Sequence, residues 1–228
     1  MPPSETLIPA AAHAPARQRR KDARPAELLD AALALFVEKG FALTRAEEVA
    51  ARAGVSKGTL YLYYASKEEL LKAVIRERLS AEIEAGAEQF ERYAGPTAEL
   101  MRQVLIPWWQ RLLDSPTSGV FKLVITEVRN FPDIAEFYAR EVIEPGTRLI
   151  ARILERGIAR GEFRAVDVPT AVHSLVLPMI MLCLHKHTLS ACGCTPRGIE
   201  PARFIRDHVE LMLQGLLVQP PPAAERRR

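Results

Sequence analysis

Thr44-Arg-Ala-Glu-Glu-Val-Ala-Ala-Arg-Ala-Gly-Val-Ser-Lys-Gly-Thr-Leu-Tyr-Leu-Tyr-Tyr-Ala-Ser-Lys-Glu-Glu-Leu-Leu71 holds two short apolar patterns on either side of one glycine. Thr44 stands where it caps a helix whose Val49, Ala50 and Ala53 face inward, Gly54 supplies a tight turn, and Val55 plugs the angle to the next helix. Ser56 caps that second helix, in which Leu60 faces the core while Lys57, Gly58, Thr59, Tyr61 and Tyr63 are left to solvent or to a major groove. Thr59 offers a methyl and a hydroxyl to base edges, and Tyr61 and Tyr63 reach phosphates or thymine methyls. Lys67 joins a free helix-terminal amide to a positive charge, the makings of a phosphate clamp. The layout predicts a helix-turn-helix whose partner is double-stranded DNA. Its contact set is Thr44, Arg45, Ser56, Lys57, Gly58, Thr59, Tyr61, Leu62, Tyr63 and Lys67.

Outward from this stretch nearly everything reads as helix. Leu29, Ala32, Leu33, Phe36 and Val37 recur at helical spacing, and Gly40 follows as a left-handed cap. Ser66 with Glu69 is a capping box that opens a long helix toward Tyr93, closed by Gly95-Pro96. Further helices are expected over 98–113, 118–130, 132–159, 169–188 and 201–217, with Pro107, Pro145 and Pro178 kinking or interrupting them. Alternating β-branched runs between hairpin turns are missing, so the fold class is all-α. The expected divisions are a loose basic arm over 1–23, a DNA-binding domain over 24–71, a larger helical domain over 72–217 and a flexible tail over 218–228.

Composition is that of a globular protein. The net charge of +3 falls entirely within residues 1–67, which carry ten basic and seven acidic side chains, so a polyanion is drawn to that third. Met1–Ala12 lacks the basic start and sustained apolar core of a secretory leader, and three cysteines are an odd set for a disulfide framework; the cytoplasm is the expected compartment. The charge-free run Val168–Leu184 falls short of the roughly 20 residues that span a bilayer and reads as a buried helix, with no membrane partner. No nucleophile with a paired base, glycine-rich phosphate loop or His-x3-His pair is present, which argues against an enzyme, and no cofactor is implied. His185, His187, Cys192 and Cys194 form the one set with metal-ligand chemistry. Its His-x-His and Cys-x-Cys spacings are compatible with zinc or copper, although neither pair is the Cys-x2-Cys of structural zinc sites, and the plainer reading is a helix end followed by a loop, with no metal.

Residues 25–72 resemble the tetracycline-repressor family of transcriptional regulators. The resemblance is carried by Gly40-Phe41, Thr44, Ala-Gly-Val-Ser-Lys-Gly-Thr-Leu-Tyr at 53–61, the aromatic pair Tyr63-Tyr64 and Ser-Lys-Glu-Glu-Leu at 66–70. Arg45-Ala46 and Leu62 depart from the common pattern and bear on which operator sequence is read. The resemblance implies a repressor that binds a palindromic operator as a homodimer, paired through the last two long helices, and is released by a small-molecule effector held in the helical body. A DNA-binding activator, or a regulator without an inducer, is the alternative. Val168–Leu184 is apolar on nearly every face, and Phe204, Ile205, Val209, Leu211, Met212, Leu216 and Leu217 give the last helix a broad apolar face, both compatible with pairing. Trp108 and Trp109 beside Pro107 point to an apolar or aromatic pocket, with Met101, Phe121, Phe131, Phe137, Tyr138, Met179 and Met181 as candidate walls and His173 as a polar contact.

Overall fold

The computed structural model describes residues 16–127, 129–190, 193 and 199–218. Nine helices make up these described residues. The head holds α1 (Ala16–Lys39), α2 (Ala46–Arg52) and α3 (Lys57–Tyr63). α4 runs on from the head as Lys67–Val74, a π-helical stretch Ile75–Ser80, and Ala81–Arg92. α5 is likewise Thr97–Leu100, π-helical Met101–Leu105 and Ile106–Asp114. α6 spans Gly119–Glu127, and α7 joins Pro132–Tyr138, π-helical Ala139–Ile143 and Glu144–Ala159. α8 (Val168–His187) and α9 (Pro201–Leu216) complete the body.

The first helix begins at Ala16, so the expected arm over 1–23 is corrected for its last eight residues; residues 1–15, like those from 219 on, lie outside the described residues. Residues 16–24 are Ala, Arg, Gln, Lys and Asp without glycine, a composition with good intrinsic helix propensity, and the backbone continues from the apolar helix behind them. Pro25 is accommodated inside α1.

Two of the three interior prolines carry a visible consequence. Pro107 and Pro145 each sit at the start of an α-helical stretch that follows directly on a π-helical one. A proline lacks the N–H its helix needs and its ring presses on the carbonyl four residues back, which here is Gln103 or Glu141; the wider π turn relieves both. Pro178 lies within an unbroken α8.

α1 packs on α2, α4 and α6, so the head is seated directly on the body. Leu28, Phe36, Phe41, Leu60, Leu70, Leu71 and Ile75 are fully buried, and one hydrophobic cluster runs from them through Met101, Leu123 and Ile134 into the bundle. α8 is long and apolar enough by composition to cross a bilayer, but it lies in the bundle against α5, α6, α7 and α9, burying Ala171, Val172, Leu175, Met179 and Cys183. Its opposite side leaves Leu177 and Met181 exposed, so within one chain the expected buried helix is buried on one face. Behind α9 the chain pairs with the α7–α8 connection, where the Arg164 N–H donates to the Leu216 carbonyl at 2.8 Å and the Val218 N–H to Glu162 at 3.1 Å.

Candidate nucleic-acid interface and interior cavity

The α2–α3 turn is built as the spacing requires. Gly54 takes φ +66°, a left-handed value that a side chain disfavours, and the Val55 N–H returns to the Ala50 carbonyl at 2.9 Å. Ser56 Oγ caps α3 by accepting the Thr59 N–H at 3.1 Å. Leu60 is the one fully buried side chain of α3, and Lys57, Gly58, Tyr61, Leu62 and Tyr63 are exposed, Leu62 at 85%. Arg45 and Ser56 are exposed beside them, and Thr59 is half-buried with its hydroxyl 2.9 Å from that of Ser56. Lys57 pairs with Glu47 at 2.5 Å, and the ammonium holds that carboxyl below its usual range. The face therefore offers one basic, one aliphatic and two phenolic side chains from a single turn and a half of helix.

Two residues assigned to DNA contact are engaged elsewhere. Thr44 is buried, and its hydroxyl lies 2.8 Å from the Gly40 carbonyl and 3.2 Å from that of Leu35, so it is held at the C-terminal end of α1. The cap of α2 falls to Arg45, whose N–H donates to the Glu48 carboxylate at 3.0 Å. The Lys67 ammonium donates to the carbonyls of Phe41, Ala42 and Thr44 at 2.8, 3.2 and 3.0 Å and stands 4.4 Å from the Phe41 ring centre. It staples the α1–α2 turn, so only the backbone amides at the start of α4 remain for a phosphate. Tyr64 is turned inward, its hydroxyl 3.5 Å from the Pro25 carbonyl and its pKa raised by burial.

In the body an apolar cavity of about 130 Å³ lies between α4, α5, α7 and α8. Trp108, Trp109, Phe121 and Tyr138, four of the residues named for a pocket, are among those that line it. The remaining assignments are corrected by their surroundings. Met101 and Met179 are buried in the core and do not line it. Phe131 packs edge-on against Phe41 at 4.8 Å, at the junction of head and body. Phe137 lies beneath the guanidinium groups of Arg76 and Arg140. His173 is exposed on α8, with Nδ1 2.8 Å from the Pro169 carbonyl, and Met181 is exposed on the same helix. The lining missed by the sequence reading is mostly aliphatic: Leu79 and Ile83 on α4, Val104 on α5, and Ile150 and Ile153 on α7, with the aromatic Phe90 of α4 beside them. Their helical spacing was visible, but spacing alone does not say which buried face meets a gap.

The Trp108 indole donates to the Glu82 carbonyl at 3.1 Å, tying the cavity wall to α4. Burial pushes the Tyr138 phenol far upward, so it stays protonated, and pushes the Cys183 thiol up to about 12. His187 Nε2 lies 2.8 Å from the Ser118 hydroxyl, Cys192 and Cys194 fall outside the described residues, and no group of three or more possible metal ligands occurs among the described residues.

Head and body are joined chiefly through α6. Lys122 donates to the Val37 carbonyl at 2.9 Å, the Phe41 N–H donates to the Glu127 carboxylate at 3.2 Å, and Gly119 packs against Val37 so closely that an added Cβ would fall 2.5 Å from a Val37 methyl.

Comparison with known proteins agrees with this architecture. Residues 28–74 match the family model described as bacterial regulatory proteins of the tetR family, and residues 94–191 match a tetracyclin repressor-like C-terminal domain. The transcriptional repressor KstR2 of Rhodococcus jostii is 28% identical over 162 residues, 68% of this chain and 76% of that protein. Two solved structures share the fold: the regulator FadR of Bacillus subtilis in complex with stearoyl-CoA, with a TM-score of 0.66 at 22% identity over 83% of this chain and 98% of that one, and a putative regulator of Saccharomonospora viridis in complex with choline, with a TM-score of 0.71 at 19% identity over 87% and 100%. A helix-turn-helix head whose second helix is exposed, a helical body seated on it and family models matching part of each make this chain a member of the tetracycline-repressor family of DNA-binding transcriptional regulators.

Proposed function

We propose that this regulator is a repressor that binds a two-fold symmetric operator as a homodimer and leaves it when a small apolar or aromatic molecule fills the interior cavity. The observation that carries the ligand response is the sharing of helices. α4 supplies Leu79, Ile83, Gly86 and Phe90 to the cavity and begins three residues after α3; α6 supplies Phe121 to the cavity and Lys122 and Glu127 to the grip on α1 and its turn. A ligand that binds more tightly to a shifted arrangement of α4 and α6 draws the population toward it, and the two reading helices of a dimer then lose the spacing their half-sites need. Pairing through α8 and α9 is supported by their open face, where Leu177, Met181 and Leu211 are exposed.

A cavity-filling substitution tests the response without a known ligand. At Gly86 an added Cβ meets the Trp108 indole nitrogen at 3.6 Å, an ordinary contact, so Gly86→Leu is accommodated at its first carbon and directs its bulk toward the cavity. The expected result is a variant that melts cooperatively but binds operator DNA about tenfold or more weakly, a change on the order of 1.4 kcal/mol. Unchanged affinity in a folded variant contradicts the reading.

A further inference from the structure

Resting on the reading of the interior cavity as the effector site, the chemistry of its walls narrows what the effector is. None of the described residues that line it is Lys, Arg, His, Asp or Glu. An ionised carboxylate or phosphate placed there would give up its hydration with no counter-charge in return, a loss that buried ions make good only when paired. The polar groups present are neutral. The Trp108 N–H is taken by the Glu82 carbonyl, whereas the Tyr138 hydroxyl, the Trp109 indole N–H and the Thr147 hydroxyl make no hydrogen bond among the described residues. Tyr138 is 8% exposed and lines the cavity, so its hydroxyl is a donor open to an acceptor on a molecule bound there. Size sets a second limit, because the space of about 130 Å³ is of the order of the roughly 150 Å³ engineered cavity that takes benzene, too small for a long acyl chain without large displacement of the helices.

We propose that the effector is a neutral, largely apolar molecule of about one ring that carries a carbonyl oxygen, and that Tyr138 is the specificity-determining residue that donates to that oxygen. Charged effectors and long acyl thioesters are disfavoured at this site by the same walls. A molecule lacking the oxygen leaves the Tyr138 donor unpaired and binds less tightly.

Both tryptophans of the chain line the cavity, so intrinsic fluorescence reports its occupancy. The full chain is titrated with acetophenone, with ethylbenzene as the near-isostere without the oxygen, with benzoate as the charged counterpart, and with stearoyl-CoA. Acetophenone is expected to quench with an affinity about threefold to tenfold above ethylbenzene, the range of one neutral hydrogen bond, with benzoate and stearoyl-CoA weaker than both. Tyr138→Phe, checked by an unchanged melting temperature, is expected to bring acetophenone down to ethylbenzene and to leave ethylbenzene unaltered. Tighter binding of benzoate or stearoyl-CoA, or an unchanged preference for acetophenone in Tyr138→Phe, overturns this inference and leaves the cavity as effector site. No fluorescence change with any of the four overturns the cavity reading itself.

Discussion

Lys67 places one ammonium against three carbonyls of the turn between α1 and α2, and Thr44 sets its one hydroxyl donor between two more, nearer that of Gly40 than that of Leu35. Together they fix the turn whose Phe41 N–H the body grips through Glu127. Lys67→Met, which keeps the aliphatic stem and removes the donors, is expected to lower stability by about 1.5–3 kcal/mol, the scale of hydrogen bonding to a charged group, read as a shift in the urea midpoint. A midpoint equal to that of the native chain would mean that water replaces the staple at no cost. The roles of these two residues were hidden in the sequence for a physical reason. A lysine at a helix start and a threonine before a helix carry the same local signal whether they face a phosphate or a loop carbonyl, and the loop's carbonyls leave no pattern in the side-chain order. Tyr61, Leu62 and Tyr63 were legible because Leu60 alone faces the core of so short a helix and the rest must point away from it.

The helices themselves were readable from apolar spacing and punctuation, which are local. What the spacing does not contain is the crossing of one helix over another. The cavity depends on α4, α5, α7 and α8 leaving a gap together, so aromatic residues such as Phe131 and Phe137 were drawn toward it by their type while Ile83 and Val104 were passed over. The π-helical stretches before Pro107 and Pro145 belong to the same scale, and Leu105 and Val142 within them line the cavity. Another contact between elements is sensitive to acid. His187 on α8 meets Ser118 just before α6, and burial, with Lys186 and Lys122 nearby, lowers its pKa below the ordinary 6.5. The unfolded chain takes up a proton there before the folded one does. The contribution to stability is therefore whole above about pH 6.5 and declines as the pH falls through that value toward the lowered folded pKa. The melting temperature is expected to drop between about pH 7.5 and 5.5, and His187→Gln is expected to flatten that part of the profile. An identical slope in the variant would remove His187 from the account.

At the scale of the whole molecule, the net positive charge of the first third sets the head apart from a charge-balanced helical body, with one hydrophobic core running through both. The open face of α8 and α9 is the natural place for a second copy, since Leu177, Met181 and Leu211 would otherwise remain in water. Light scattering is expected to give twice the chain mass of 25.4 kDa for the native protein and a shift to single chains for Leu177→Glu with Leu211→Glu. Retention of the dimer in that double variant would move the interface elsewhere. The reading of DNA by α3 is tested most directly by fluorescence anisotropy of the duplex upstream of the protein's own coding sequence, against a scrambled duplex, for the native chain and for Tyr61→Ala. Selective binding that weakens steeply with added salt is expected, with a loss of about tenfold in Tyr61→Ala and no change in melting temperature. Equal affinity of the native and Tyr61→Ala proteins for the upstream duplex would contradict the reading of DNA by α3.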